Sequence, residues 1–182
     1  MSSDIMRSGS CLCGGVQFRV TGEPLRVGLC HCKDCRKTSG SAYQAFAIWP
    51  RQAFESAGIT STYGGRSFCP TCGSRLPSVG EDEVEVMIGS LDVAPTEGLE
   101  PSYELWIGRR EHWLHPLPDA RQFEHDRTVA DSAADGGEPA TEARAAPQVS
   151  LNSEWQQDLS PRPKKHRSPK GRTPSARASS SS

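Results

Sequence analysis

Apolar and polar residues alternate in short runs along the first two thirds of the chain, and no stretch carries the spacing of a long amphipathic helix. VEVMI at 84–88 alternates most cleanly and predicts a strand, as does VQFRV at 16–20. A turn at Thr21-Gly22-Glu23-Pro24 separates the latter from a further strand at 25–29. Residues 43–48 are apolar and aromatic enough for a strand that Pro50 stops, and 52–54 open a connection toward Gly58. Residues 61–63 and 66–68 are shorter strand candidates. Residues 105–107 and 113–114 are brief apolar runs split by the polar GRREH. Residues 32–39 read as a loop or helical turn, and 92–101 as a loop. The pattern predicts a mainly β domain of short strands and many turns.

From about residue 128 the chain turns to Ala, Ser, Pro and charges, the composition of a disordered segment. This predicts one domain over 7–125 and a disordered, low-complexity tail over 128–182. The tail is basic from 161, with seven Lys or Arg and no acid. Setting those aside leaves 14 basic against 22 acidic residues in 1–160, a balance of −8 under a formal total of −1. A nucleic-acid contact is therefore expected only through the tail, whose KKHRSPK also looks like a nuclear signal. The opening MSSDIMRSGSCLCGG has no apolar signal core, and nothing approaches the roughly 18 apolar residues of a membrane span. The expectation is a cytoplasmic protein without a membrane partner.

Seven cysteines then change the picture. Closely spaced thiols, odd in number, argue for metal ligation rather than a disulfide framework. Cys11 and Cys13 form C-x-C, and Cys69 and Cys72 form C-x-x-C-G; the two pairs can close one four-thiolate zinc site across a long loop. A thioredoxin-like redox role for Cys69-Pro70-Thr71-Cys72 is the rival reading, although no helical pattern follows it. Cys30, Cys32 and Cys35 form C-x-C-x-x-C, three thiolates with a fourth zinc position open to a water or substrate. His31, His112 or His115 could instead fill that position and leave it inert. Lys33, Arg36 and Lys37 surround the triplet. Cations there favour thiolates and attract a carboxylate-bearing thiol, or are simply solvated charges. Arg36 and Lys37 are the candidate substrate-binding residues.

The order CLCGGVQF, CHCKDCRKTSG, FCPTCGSRL, IGSLD and a Trp-rich end resembles the glutathione-dependent formaldehyde-activating enzyme family, whose domain is shared with centromere protein V-like proteins. The resemblance spans about residues 7 to 125. It implies a compact Mss4-like zinc-binding fold and two zincs per chain. The structural one is held by Cys11, Cys13, Cys69 and Cys72, the catalytic one by Cys30, Cys32 and Cys35. The implied activity is of the carbon–sulfur lyase type, on a small thiol or aldehyde adduct such as S-hydroxymethylglutathione. Members often carry a His in the segment matching SYELW at 102–106. Here Glu104 stands in that segment, so any proton-transfer role of that His is lost or replaced. Asp92 in IGSLD is a site residue by resemblance, or a turn former. The alternative function is a non-catalytic zinc protein whose basic tail contacts nucleic acid.

Overall fold

The structure, a computed structural model, describes residues 5–128 and residue 131. The basic stretch from 161 lies outside those residues. The elements in chain order are β1 (Met6–Ser10), β2 (Gln17–Thr21), β3 (Arg26–Cys30), α1 (Lys33–Ser39), β4 (Gln44–Pro50), β5 (Phe54–Ala57), β6 (Ser61–Tyr63), β7 (Arg66–Phe68), β8 (Ser78–Val79), β9 (Glu83–Met87), β10 (Tyr103–Leu105) and β11 (Arg121–Phe123). The fold is mainly β, as the alternation predicts. No helix among the described residues is long and apolar enough to cross a membrane.

A six-stranded sheet runs β11-β10-β3-β4-β9-β8, with β10 parallel to both its neighbours and the other pairs antiparallel. An antiparallel sheet β1-β2-β5 and a β6-β7 hairpin complete the sheets. Successive side chains of a strand face opposite sides, so the large sheet divides the core in two. Ala47 and Trp49 of β4 and Val84 and Val86 of β9 pack with Phe18, Val20 and Phe54 of the three-stranded sheet. Phe46, Ile48 and Met87 face the other way and pack with Cys30, Tyr103 and Leu105. Each half of the core carries one of the cysteine groups.

The far connection that brings β10 beside β3 depends on Gly28. A Cβ there would lie 2.5 Å from the Tyr103 ring, so only glycine lets that ring cross the strand. Three stretches depart from what their sequence pattern suggests. The strand β1 forms from the polar MRSGS, because the β2 backbone supplies its ladder over all five residues. Residues 113–114 are not a strand, and Trp113 is 68% exposed. The apolar run at 105–107 contributes only its first residue to β10, which ends where Trp106 takes a left-handed φ of 59°.

Candidate functional site

The first cysteine group sits where two tight turns meet. Cys11 leaves β1 into a turn closed by the Gly14 N–H on the Cys11 carbonyl at 2.9 Å, and the Val16 N–H reaches the Cys11 sulfur at 3.2 Å. Cys69 leaves β7 into a matching turn, closed by the Gly73 N–H on the Cys69 carbonyl at 2.8 Å. Ser74 ties the turns together. Its Oγ accepts the Leu12 N–H at 2.9 Å, which leaves its proton for the Cys72 sulfur 3.3 Å away. That hydrogen bond is the main reason the Cys72 thiol is held down to about 5.

All four sulfurs lie within 4.8 Å of one another, with Cys11–Cys13 at 3.4 Å and Cys13–Cys69 at 3.7 Å. No pair is bonded as a disulfide. Zinc–sulfur bonds of about 2.3 Å in a tetrahedron require sulfur–sulfur edges of about 3.8 Å, so this set can hold a metal with little rearrangement.

The second group lies on the opposite side of the large sheet. Cys30 ends β3, buried at 4% exposure, and Cys32 caps α1, its sulfur accepting the Cys35 N–H at 3.4 Å. The Cys32 N–H in turn points at the Cys30 sulfur at 3.4 Å. Backbone amides thus aim at these sulfurs, the environment that favours thiolates. The Cys30 and Cys35 sulfurs lie within 4.8 Å of each other, close enough for each thiol to shift the other. The bond to Cys30 is the chief cause that lowers Cys35 to about 7, and the same contact pushes Cys30 well up. Gly40 closes α1 in the left-handed conformation, its N–H on the Arg36 carbonyl. The three sulfurs lie within 4.8 Å of one another, and among the described residues no fourth His, Cys, Asp or Glu joins them.

The histidines are accounted for elsewhere. His31, 1% exposed, turns its ring to Glu104, with Nε2 2.8 Å from the carboxylate. His112 and His115 are exposed. Glu104 points away from the triplet, because the register that sets Tyr103 beside Gly28 and Leu105 beside Cys30 turns both into the core half of the triplet and sends the side chain between them to the other face. It accepts the Leu117 N–H at 2.6 Å, Gln122 Nε2 at 3.2 Å and Arg110 Nη1 at 3.0 Å besides His31. Burial alone would raise this carboxyl, but those donors, led by the Leu117 N–H, hold it at about 2. Glu104 is thus a buried anchor for the chain beyond 109.

The triplet opens into a cleft of about 360 Å³. Phe46, Leu105 and Trp106 form apolar wall, and Lys33, Asp34, Arg66, Glu85, Arg109 and Asp126 supply charge. Arg36 and Lys37 do not line it. Arg36 pairs with Glu111 and donates to the Arg109 carbonyl at 3.2 Å, and Lys37 is exposed on the last turn of α1. Asp92 lies elsewhere too, accepting Ser8 Oγ at 3.0 Å and Ser10 Oγ at 2.6 Å and so clamping β1 to the loop after β9.

Glu85 escapes a sequence reading because VEVMI marks it as a solvent position; the face opposite the valines is in fact the cleft. Its carboxyl lies 3.9 Å from Arg75, and burial, more than any charge, pushes it above the usual carboxylate range. Arg66, Trp106, Arg109 and Asp126 carry no local pattern that marks them. The aromatic Trp106 is held by its indole N–H on Asp126 at 2.8 Å and by His125 packed edge-on.

Comparison with known proteins bears on the same residues. The model of the glutathione-dependent formaldehyde-activating enzyme family matches residues 6–109, which contain both cysteine groups. A Halomonas elongata protein provisionally named a glutathione-dependent formaldehyde-activating enzyme is 34% identical over 86 residues. That alignment takes in 40% of this chain and 55% of the relative, so the chain spans little more than half of the relative's length. With more than half of its residues under the family model and both cysteine groups inside it, the chain belongs to the glutathione-dependent formaldehyde-activating enzyme family.

Proposed function

We propose that the three-cysteine cleft is a zinc-dependent carbon–sulfur lyase site that joins a small thiol to formaldehyde and reverses the reaction, with S-hydroxymethylglutathione as the adduct. One observation carries this reading: three sulfurs converge on a cleft with no fourth protein donor among the described residues, while the other four converge without one. The family description and the relative's name supply the thiol and the aldehyde. Two zincs per chain follow. Cys11, Cys13, Cys69 and Cys72 hold the structural one, and Cys30, Cys32 and Cys35 the catalytic one, within a unit of residues 7–125. Thiols with no disulfide among them suit a reducing, cytoplasmic setting.

Bound zinc supplies Lewis-acid stabilisation of the charge that shifts as the carbon–sulfur bond forms or breaks. The remaining work belongs to the chain. Phe46, Leu105 and Trp106 keep water from part of the cleft wall. In the forward direction the thiol S–H breaks, sulfur bonds to carbon, and the carbonyl oxygen finishes as a hydroxyl. Glu85 is the carboxylate raised by burial in this cleft, suited to take the thiol proton and return it to that oxygen, so the proton count closes.

The test is metal content and exchange together. Wild-type protein should carry about two zincs and Cys32→Ala about one, with the same far-ultraviolet circular dichroism. Magnetisation-exchange NMR should show wild type, and not the variant, accelerating the interchange of glutathione and S-hydroxymethylglutathione. A fully loaded wild type that leaves the uncatalysed rate unchanged sinks the reading.

A further inference from the structure

The charges around the cleft are not equally available. Asp126 accepts the Trp106 indole N–H at 2.8 Å, Asp34 lies 3.7 Å from Arg66, and Glu85 lies 3.9 Å from Arg75. Each acid on the wall therefore has a donor or cation beside it, and Arg66 is the cation that faces Asp34. Lys33 and Arg109 remain. Neither has a carboxylate or hydrogen-bond partner for its charged head among the described residues, and both are exposed at the cleft. The guanidinium of Arg109 rests 5.1 Å over the Trp106 ring, an arrangement that fixes the plane and leaves the N–H edges free.

The backbone behind Arg109 is also held in place. Arg36 donates to the Arg109 carbonyl and pairs with Glu111, while the Arg109 N–H bonds the Trp106 carbonyl at 2.9 Å. Lys33 stands at the start of α1, beside Cys32, and Arg109 ends the short turn Ile107–Arg109. Two uncommitted cations thus flank the three thiols from separate elements.

We infer that Lys33 and Arg109 read carboxylates on the thiol substrate, so that the cleft selects an anionic thiol over a neutral one of the same size. The inference rests on the cleft being the thiol-adduct site. Arg36 acts behind it as a positioning residue through the Arg109 carbonyl.

The probes are glutathione and its diethyl ester, which has the same thiol and peptide frame without free carboxylates. Calorimetric titration of the zinc-loaded full chain should show glutathione binding about tenfold more tightly than the ester, with the gap shrinking as salt rises. Lys33→Gln and Arg109→Gln should each weaken glutathione by about threefold to fivefold, leave the ester unchanged, and together erase the preference. Arg109→Lys should restore part of it, since charge returns without the planar fork. Equal binding of acid and ester by wild type overturns the inference. So does an equal loss of both ligands in the Gln variants, which marks a packing role. Turnover without a preference defeats this inference alone. A preference without turnover upholds it and defeats the catalytic reading instead.

Discussion

The two cysteine groups use the same ligand atoms and differ in almost everything that surrounds them. The four-sulfur group joins two turns far apart in sequence, Cys11–Cys13 and Cys69–Cys72, and packs into the larger half of the core. The three-sulfur group is local, spanning six positions from the end of β3 into α1, and its sulfurs face a cleft. A site that closes a long loop contributes to folding, because the chain cannot reach that geometry without it. A site assembled within one short segment adds little to the fold and is free to expose a coordination position. On the proposed reading, the location of the ligands along the chain separates a site that holds the protein together from one suited to chemistry.

The sharpest way to break that comparison is to delete one sulfur from each group. Cys69→Ala should cost several kcal/mol and abolish cooperative thermal unfolding, an effect on the scale of removing a structural zinc. Cys32→Ala should keep a melting temperature within a few degrees of wild type and lose exchange activity. If the two variants melt alike, the division of roles fails.

Glu104 tests whether the chain beyond 109 depends on a buried charge. Glu104→Gln leaves His31 and Arg110 facing a neutral amide in a buried position and should destabilise by about 3 kcal/mol. In wild type the carboxyl is held at about 2, below its unfolded range. The stability it contributes is complete above about pH 5 and declines as pH falls toward about 2, while the Gln variant lacks that component. Parallel acid-denaturation curves for the two proteins would contradict this.

Glu85→Gln should lower exchange activity by about 10- to 100-fold while zinc content and melting temperature hold, and should remove a titration from the acid side of the rate profile. An unchanged profile would return Glu85 to an electrostatic role. The smallest effect is expected from Arg36→Ala. Its pair with Glu111 is partly exposed, and such pairs contribute less than about 1 kcal/mol. The change should appear mainly as weaker glutathione binding through the Arg109 loop.

Both cysteine groups could be read from spacing because metal ligands come in short local groups, and β2 and β9 could be read because their residues alternate. The strand β1 could not, since MRSGS has no apolar face of its own; its hydroxyls Ser8 and Ser10 are satisfied by Asp92, more than 80 positions away. The cleft wall was hidden for a related reason. Glu85, Arg66, Arg109 and Asp126 lie on four separate segments that meet only in the folded chain. Charges beside the triplet in sequence, Arg36 and Lys37, do not line the cleft because α1, about two turns long, presents one face to it and turns the others outward.

The parallel pairing of β10 with β3 has a kinetic consequence. Ser102 bonds the Val27 carbonyl across 75 residues, so this contact closes a long loop and should form late in folding. Lys33 and all three thiols of the triplet emerge from the ribosome well before Leu105, Trp106 and Arg109. A nascent chain therefore presents a bare, reactive C-x-C-x-x-C until the strand bearing its wall has been made. Protection of those thiols during synthesis is a demand that this topology places on the cell.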